Sequence, residues 1–425
     1  MKLLIKNGHV VDPANHVDGV CDILIEHERI AKVGSAIKVD AHTVIDATGK
    51  IVIPGIVDMH VHLREPGRED KETVSSGTKA ALHGGVTSML AMANTLQTID
   101  CPEAVRLLRQ IIEKTAYANV YITAAITKGR MGEHITDIAR LKKEGAIALS
   151  DDGASVDADN IMLEALKKAK KAKMLVLCHS EDKRLSAGGV MNAGFTSTKL
   201  GLRGISKESE YKRVQRDIDL AASIDACVHI THVSCKESVE IVAQAKKKGI
   251  RVTADTAPHY FSLSEEAVSG YDTNTKMNPP LRGKDDMLAI QQALRDGTID
   301  AIASDHAPHT ENEKEIEFDR AEFGVIGLET ELSVSLALVH AGALTLSELI
   351  AKLTRNPAKI LGIPKGTLSV GADADVAVFS KDREWLVEKK VFFSKSKNSA
   401  FLGKTLKGLV EYTFVKGKRV YPYAE

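Results

Sequence analysis

Between residues 54 and 365 the chain alternates short apolar stretches with longer helical patterns. The apolar stretches are 56–62, 86–91, 120–124, 146–149, 174–178, 227–231, 251–254 and 299–303. Between them lie 70–82, 102–115, 160–172, 209–223, 236–248 and 285–295, where apolar residues recur with a helical period. Parallel strands need a long crossover, usually a helix, so this alternation predicts a parallel sheet. Eight such units predict an α/β fold, a (β/α)8 barrel of the TIM type. Near-continuous apolar strands suit a sheet buried on both faces. A doubly wound open sheet is the alternative. It would need further support, such as a Gly-x-Gly-x-x-Gly turn after the first strand, and there is none.

The flanks read differently. Up to residue 53 the pattern is short strands and tight turns. Leu3-Leu4-Ile5 precedes Asn7-Gly8, a hairpin signal, and 43–46 and 50–53 flank Ala47-Thr48-Gly49. After residue 365 the same pattern returns at 366–368, 375–379, 400–402 and 409–415, with a hairpin over 415–420. Two β fragments that bracket a barrel join most simply into one small discontinuous β-sandwich domain. Its expected limits are 1–53 and 366–425, with the barrel over 54–365. The Gly-rich stretch 188–204 carries Val190, Met191, Phe195 and Leu200, so it reads as an ordered loop.

Charge narrows the function. Lys+Arg and Asp+Glu are 57 each, and aromatic residues are only 4%. This balance argues against nucleic-acid and anionic-membrane partners and favours a small-molecule substrate. The five cysteines are odd in number and scattered, with no Cys-x-x-Cys pair, which predicts a reducing cytoplasm rather than a disulfide framework. Neither a signal peptide nor a run long and apolar enough for a membrane helix is apparent.

Active-site groups of a parallel barrel sit at the C-terminal ends of its strands. The first strand runs into Asp58-Met59-His60-Val61-His62-Leu63-Arg64. Strict alternation puts Asp58, His60, His62 and Arg64 on one face, and two imidazoles so spaced can grip one metal ion. Later strands end in Asn94, Ser150-Asp151-Asp152, His179, His232, Pro258-His259 and Ser304-Asp305-His306. His60, His62, His179 and His232, with Asp152 and Asp305, offer enough ligands for two divalent ions. Nitrogen and oxygen ligands without thiolate suit Zn2+, with Co2+ or Mn2+ as substitutes. Cys178 should point away from His179 and is not read as a ligand. His9, His16, His27, His42, His83, His134 and His340 fall in turns or helices and are read as non-catalytic. His229 is read as structural, His259 stays open, and His306 is expected to support Asp305.

These residues carry a resemblance. Residues 54–62 resemble the first strand of the amidohydrolase superfamily. The run His60 to Gly67, together with Met92 to Thr95, Ser150 to Gly153, Lys276 to Arg282, Ser304 to His309 and Phe323 to Thr330, resembles class I dihydroorotases. The resemblance spans nearly the whole chain. It implies a zinc-dependent, reversible hydrolysis of the cyclic amide of dihydroorotate to N-carbamoyl-aspartate, in pyrimidine synthesis. It implies that His60 and His62 bind one zinc with Asp305, that His179 and His232 bind the other, and that Asp152 bridges them. Asp305 would also be the general base. Arg64, Asn94 and His309 would hold the substrate carboxylate, Asn278 the ring edge, and Phe323 and Gly324 would offer backbone contacts. The choice of Asp152 over Asp151 comes from the resemblance, since alternation says only that the two point apart. Two departures, Ala93 and Ser206 where the family usually has proline, lie beside functional positions. A homodimer and a complex with aspartate transcarbamoylase are implied as partners. The rivals are a hydantoinase, dihydropyrimidinase or allantoinase, and a non-catalytic scaffold for aspartate transcarbamoylase. The first group usually bridges its metals with a carboxylated lysine after strand four, where this chain has Ser150-Asp151-Asp152 and no lysine. The second tends to lose the histidines that are all present here.

Overall fold

The computed structural model describes residues 2–422. Met1 and residues 423–425, the outermost parts of the expected β domain, lie outside the described residues. Eight strands pair in parallel in chain order: Ile56–Val61, Val86–Ala91, Asn119–Ala124, Ala146–Leu149, Leu175–Cys178, Val228–Ile230, Val252–Thr256 and Ala301–Ile302. The last strand is far shorter than the 299–303 expected. Just beyond it, the N–H of Ser304 goes to the Asp58 carboxylate, 3.2 Å away.

That contact belongs to the seam that closes the barrel. The first and last strands meet through a parallel bridge between Val61 and His306, and the His62 N–H donates to the His306 carbonyl at 2.9 Å. Asp58 supplements this thin ladder. Its carboxylate accepts the N–H of His60 at 3.0 Å, the N–H of Ser304 and the Ser304 hydroxyl. Asp58 is fully buried, and burial raises its pKa to about 6 although these donors oppose the shift.

Inside the barrel, Met59, Leu90, Met92, Ala148, Leu177, Ala301 and Ala303 form one buried cluster, long side chains facing small ones. Outside, the helices Val74–His83, Pro102–Thr115, Ile138–Glu144, Asp159–Ala172, Glu208–Ser223, Lys236–Lys247, Lys284–Asp296 and Glu331–His340 pack their apolar faces into the main core. The first starts later than the pattern over 70–82 predicts. Thr73 caps it, accepting from the Ser76 N–H at 3.0 Å while Ser76 accepts from the Thr73 N–H at 3.1 Å.

Both chain ends share one eight-stranded sheet. Its order is Lys418–Tyr421, Thr405–Val415, Val376–Leu386, Ile51–Pro54, Lys2–Asp12, Val17–Glu26 and Arg29–Gly34, with Thr43–Asp46 also paired to Lys2–Asp12. Leu3, Ile5, Val10, Ile23 and Val52 pack with Val376, Val378 and Phe414 in a second core. Asn7-Gly8 is a bulge inside one continuous strand, not a hairpin. Asn7 has φ +61, its N–H donates to Asp22 at 2.9 Å, and a Cβ at Gly8 would meet the Val52 side chain at 2.5 Å. Residues 366–368 are not a strand either, since the Leu368 N–H goes to the Asp12 side chain at 2.8 Å. Residues 400–402 form a turn that buries Phe401. The stretch 188–204 is ordered, as expected: the ladder between Met191–Asn192 and Gly204–Ile205 encloses the helix Phe195–Leu200. None of the five cysteines is paired. Among the described residues no helix is long and apolar enough to cross a membrane.

Replacing Asp58 with alanine orphans three buried donors, each costing about 1–3 kcal/mol. The D58A variant is therefore expected to melt at least about 5 °C below the parent at matched scan rate in calorimetry. An unchanged melting temperature would remove the seam from the account of stability.

Candidate active site

One cleft opens at the C-terminal ends of the barrel strands. It is lined by eleven of the twelve site residues named from sequence: His62, Arg64, Asn94, Asp152, His179, His232, Asn278, Asp305, His309, Phe323 and Gly324. The twelfth, His60, lies beneath its floor at 1% exposure.

The first strand does not present a single polar face. A register shift falls between Asp58 and Val61, Asp58 is taken by the seam, and Met59 packs into the barrel interior. His60 and His62 still reach the mouth. Arg64, His232 and Asp305 have φ of +61°, +40° and +49°, a region non-glycine residues rarely adopt. Such strain persists only when the surroundings over-determine it, and it clusters at functional sites. Here the surroundings are specific. The His232 N–H donates to Asp255 at 2.6 Å, and the His306 N–H donates to the Ser304 hydroxyl at 3.1 Å.

Six side chains converge. Asp152 Oδ1 lies 3.4 Å from His60 Nε2, His179 Nδ1 and His232 Nε2 alike, and its Oδ2 lies 3.5 Å from His62 Nε2. Asp305 Oδ1 lies 3.5 Å from His60 Nε2 and 3.3 Å from His62 Nε2. Asp151 turns away, accepting the N–H groups of Ile126 and Thr127 at 2.8 and 3.1 Å. The groups His60, His62, Asp305 and His60, Asp152, His232 each bring one ligand atom per residue close enough for a single ion. Burial disfavours the imidazolium, yet the carboxylates outweigh it and hold the His60 and His179 pKa values at about 9 and 10. Burial would raise the pKa of Asp152 and Asp305, but the surrounding imidazoles carry both below the usual carboxylate range. Neither ring nitrogen of His60 has a hydrogen-bond partner, nor has Nδ1 of His232. A buried donor set of four imidazoles and two carboxylates, with nitrogens left orphaned, fits divalent cations that displace the protons.

The outward nitrogens are oriented in turn. His62 Nδ1–H donates to Asn94 Oδ1 at 2.7 Å, which leaves Nε2 for a cation. Asn94, expected to act on substrate, thus also orients a candidate ligand. His179 Nε2–H donates to Glu181 at 3.2 Å, and Asn278 Nδ2 donates to the same oxygen at 3.3 Å. Burial would raise the Glu181 pKa, but His179 lowers it to about 2. Sequence reading passed over Glu181, although it lies two residues beyond His179. His229 is structural, bonded to Thr253 and Asp255 at 2.7 and 2.9 Å. His259 is buried, kept neutral with a pKa of about 4, and does not line the cleft. The His306 ring, expected to support Asp305, is instead bonded elsewhere: Nε2 meets Glu72 at 3.3 Å and Nδ1 accepts from the Gly327 N–H at 3.2 Å.

Beside the cluster, Arg64 Nε donates to the Pro308 carbonyl at 3.1 Å and Nη2 lies 3.3 Å from His309 Nε2. Burial, with Arg64 and Lys71 nearby, holds the His309 pKa well below its ordinary value, so the ring is neutral. The N–H of Gly324 is engaged with the Lys276 carbonyl at 2.9 Å, so its backbone offers no free donor. A Cβ there would meet Ala307 Cβ at 2.7 Å and His309 Nε2 at 3.2 Å, and φ is +127°. Glycine is what lets this loop close on His309. Asn398, far away in sequence, completes the frame. Its Oδ1 accepts the His309 N–H at 3.1 Å, and its Nδ2 donates to the Gly324 carbonyl at 3.2 Å.

A parallel barrel with this ligand set at its mouth and a sheet built from both chain ends defines a metal-dependent amidohydrolase. The Amidohydrolase family model matches residues 339–421, and the Dihydro-orotase-like model matches residues 49–238. A dihydroorotase of Elusimicrobium minutum is 53% identical over 419 residues, covering 98% of this chain and 97% of the relative. One of Geobacter metallireducens is 48% identical over 422 residues, covering 99% and 100%. The chain belongs to the dihydroorotase family. Among solved structures, L-hydantoinase (dihydropyrimidinase) from Arthrobacter aurescens superposes with a TM-score of 0.89 at 25% identity, covering 100% of this chain and 96% of that one.

Carboxylates that hold the outer nitrogen of a ligating histidine typically contribute 10–100-fold in metal affinity. Glu181→Gln is therefore expected to weaken zinc binding by about that factor in competition with a chromophoric chelator. Parental affinity in the variant would show that His179 needs no such partner.

Proposed function

We propose that this protein is a dihydroorotase, hydrolysing the ring amide of (S)-dihydroorotate to N-carbamoyl-L-aspartate and, in the biosynthetic direction, closing that ring. The observation that carries the reading is the pair of donors formed by Arg64 and His309. Their nitrogens lie 3.3 Å apart, next to the Asp305 end of the six-residue cluster. A guanidinium matches a planar carboxylate, and a second neutral donor beside it completes an anion site. Neither dihydrouracil nor hydantoin carries the carboxylate that such a site would hold.

In this reading His60, His62 and Asp305, with His179, His232 and Asp152, are the residues that would hold the divalent cations, two Zn2+ in this proposal. When bound, such cations would supply Lewis acidity. Arg64 and His309, with Asn94, fix the carboxylate. Asn278, held by Glu181, meets the ring edge, and Phe323 and Gly324 wall the pocket. Asp305 takes one proton from water as the new C–O bond forms. It returns that proton to the ring nitrogen as the C–N bond breaks. Ring closure runs the same steps backwards.

The hydantoinase reading has one observation in its favour, the superposition on L-hydantoinase. Against it stands Asp152 at the end of the fourth strand, where those enzymes usually carry a carboxylated lysine. Family resemblance alone extends the proposal to a cytoplasmic homodimer and to docking with aspartate transcarbamoylase, which light scattering with and without the transcarbamoylase would detect.

Dihydroorotate, dihydrouracil, hydantoin and allantoin assayed side by side on zinc-loaded enzyme should give turnover with the first alone. Preference for any of the others would overturn the substrate assignment. Asp305→Asn is expected to lower kcat by at least about a thousandfold, with the circular-dichroism spectrum of the parent retained. Near-parental turnover would exclude Asp305 as the base.

A further inference from the structure

The pairing of Arg64 with His309 poses a problem that the two residues cannot solve themselves. Arginine only donates. A neutral imidazole donates from one nitrogen and accepts at the other. Were the proton on Nδ1, the lone pair of Nε2 would accept from Arg64 at 3.3 Å, and the two groups would satisfy each other. They would then face an incoming carboxylate with one donor fewer and a repelling lone pair. The subsite works only if the proton sits on Nε2.

Two contacts put it there. His309 Nε2 lies 2.8 Å from the Phe323 carbonyl, which can only accept. On the other side of the ring, Lys71 Nζ lies 3.1 Å from Nδ1 and can only donate. Lys71 is 5% exposed, and its ammonium is anchored by Glu313 at 2.9 Å. Its backbone is held too, the carbonyl accepting from the Ser396 hydroxyl at 2.7 Å. The one group that would favour the opposite tautomer is Glu313 Oε2, at 3.6 Å from Nδ1. That is beyond hydrogen-bond distance, and this oxygen already accepts from the N–H and hydroxyl of Thr310, both at 3.0 Å.

We propose that Lys71 is a positioning residue for substrate recognition: it fixes His309 in the Nε2–H form, so that the ring turns an N–H, shared with the Phe323 carbonyl, and not a repelling lone pair towards the substrate carboxylate, and leaves Arg64 Nη2 free to donate to it. The proposal rests on the assignment of that subsite above. Lys71 does not touch the substrate. It acts through the imidazole, from the loop that precedes the first helix of the barrel.

The test is spectroscopic and kinetic. Zinc-loaded enzyme labelled with 15N-histidine is examined without substrate by long-range 1H–15N correlation, with His309 assigned by comparison with His309→Gln. The expected pattern is a protonated Nε2 and a bare Nδ1. In Lys71→Met the two nitrogen shifts should move towards each other as the tautomers mix. KM for dihydroorotate should rise about tenfold with kcat within about threefold, and Lys71→Arg, which keeps a donor, should recover most of the KM. A protonated Nδ1 in the parent enzyme overturns the proposal, as does a Lys71→Met variant with unchanged KM or with its whole loss in kcat. If Lys71→Met does not fold, the parent spectrum and Lys71→Arg still decide. If the parent fails to turn over dihydroorotate, the substrate assignment falls, while the nitrogen shifts report on the tautomer independently.

Discussion

Everything at the mouth depends on how the first strand is joined to the eighth. A parallel barrel closes by hydrogen bonds between its ends, and here the backbone alone supplies few: one bridge at Val61 and one bond from His62 to His306. The buried Asp58 carboxylate supplements them. It is costly to bury, and a seam is one of the few places where such a group is fully matched, here by two N–H groups and a hydroxyl. The seam sets His60 and His62 against Asp305. Without it, three of the six converging groups would lose their common frame.

Around that frame the chemistry is arranged in successive layers. The inner layer is the cluster about Asp152. The next consists of groups that fix the unused nitrogens: Asn94 on His62, Glu181 on His179, and Lys71 with the Phe323 carbonyl on His309. A histidine can face a cation or an anion with either of two nitrogens, and only an outer partner of one hydrogen-bonding kind decides which. The site is specified as much by these outer partners as by the residues that line the cleft.

The sequence showed the barrel because strand and helix periods differ and their alternation is long. Strand ends pointed to the four histidines, Asp152 and Asp305, and the family resemblance added Arg64, Asn94, Asn278, His309, Phe323 and Gly324; eleven of these twelve line the cleft. The sequence misled where geometry departs from the ideal period. Alternation placed Asp58 with the histidines, but the register shift after Asp58 turned it into the seam and sent Met59 inward. Asn7-Gly8 has hairpin chemistry, yet a bulge exploits the same positive φ. Glu181 is legible two residues beyond His179, because a histidine that offers one nitrogen to a cation needs an acceptor for the other. Asn398 and the Lys71–His309 contact were not legible at all. They join loops that are neighbours only once the barrel has closed.

The reach of those loops has a consequence for how the protein is made. Glu72, which holds His306, accepts from the hydroxyl of Ser394, 322 residues later in the chain, and Asn398 ties His309 to Gly324 from beyond the barrel. At about 5–20 residues per second, a ribosome reaches Ser394 roughly 15 to 65 s after Glu72. The first barrel strand precedes Glu72 and the other seven are made in that interval, so the four histidines and both aspartates are present before Ser394. The nascent barrel can therefore take shape while its mouth still lacks the segment that ties His309 to Gly324. The frame of the proposed carboxylate subsite is completed only after the whole barrel has been translated.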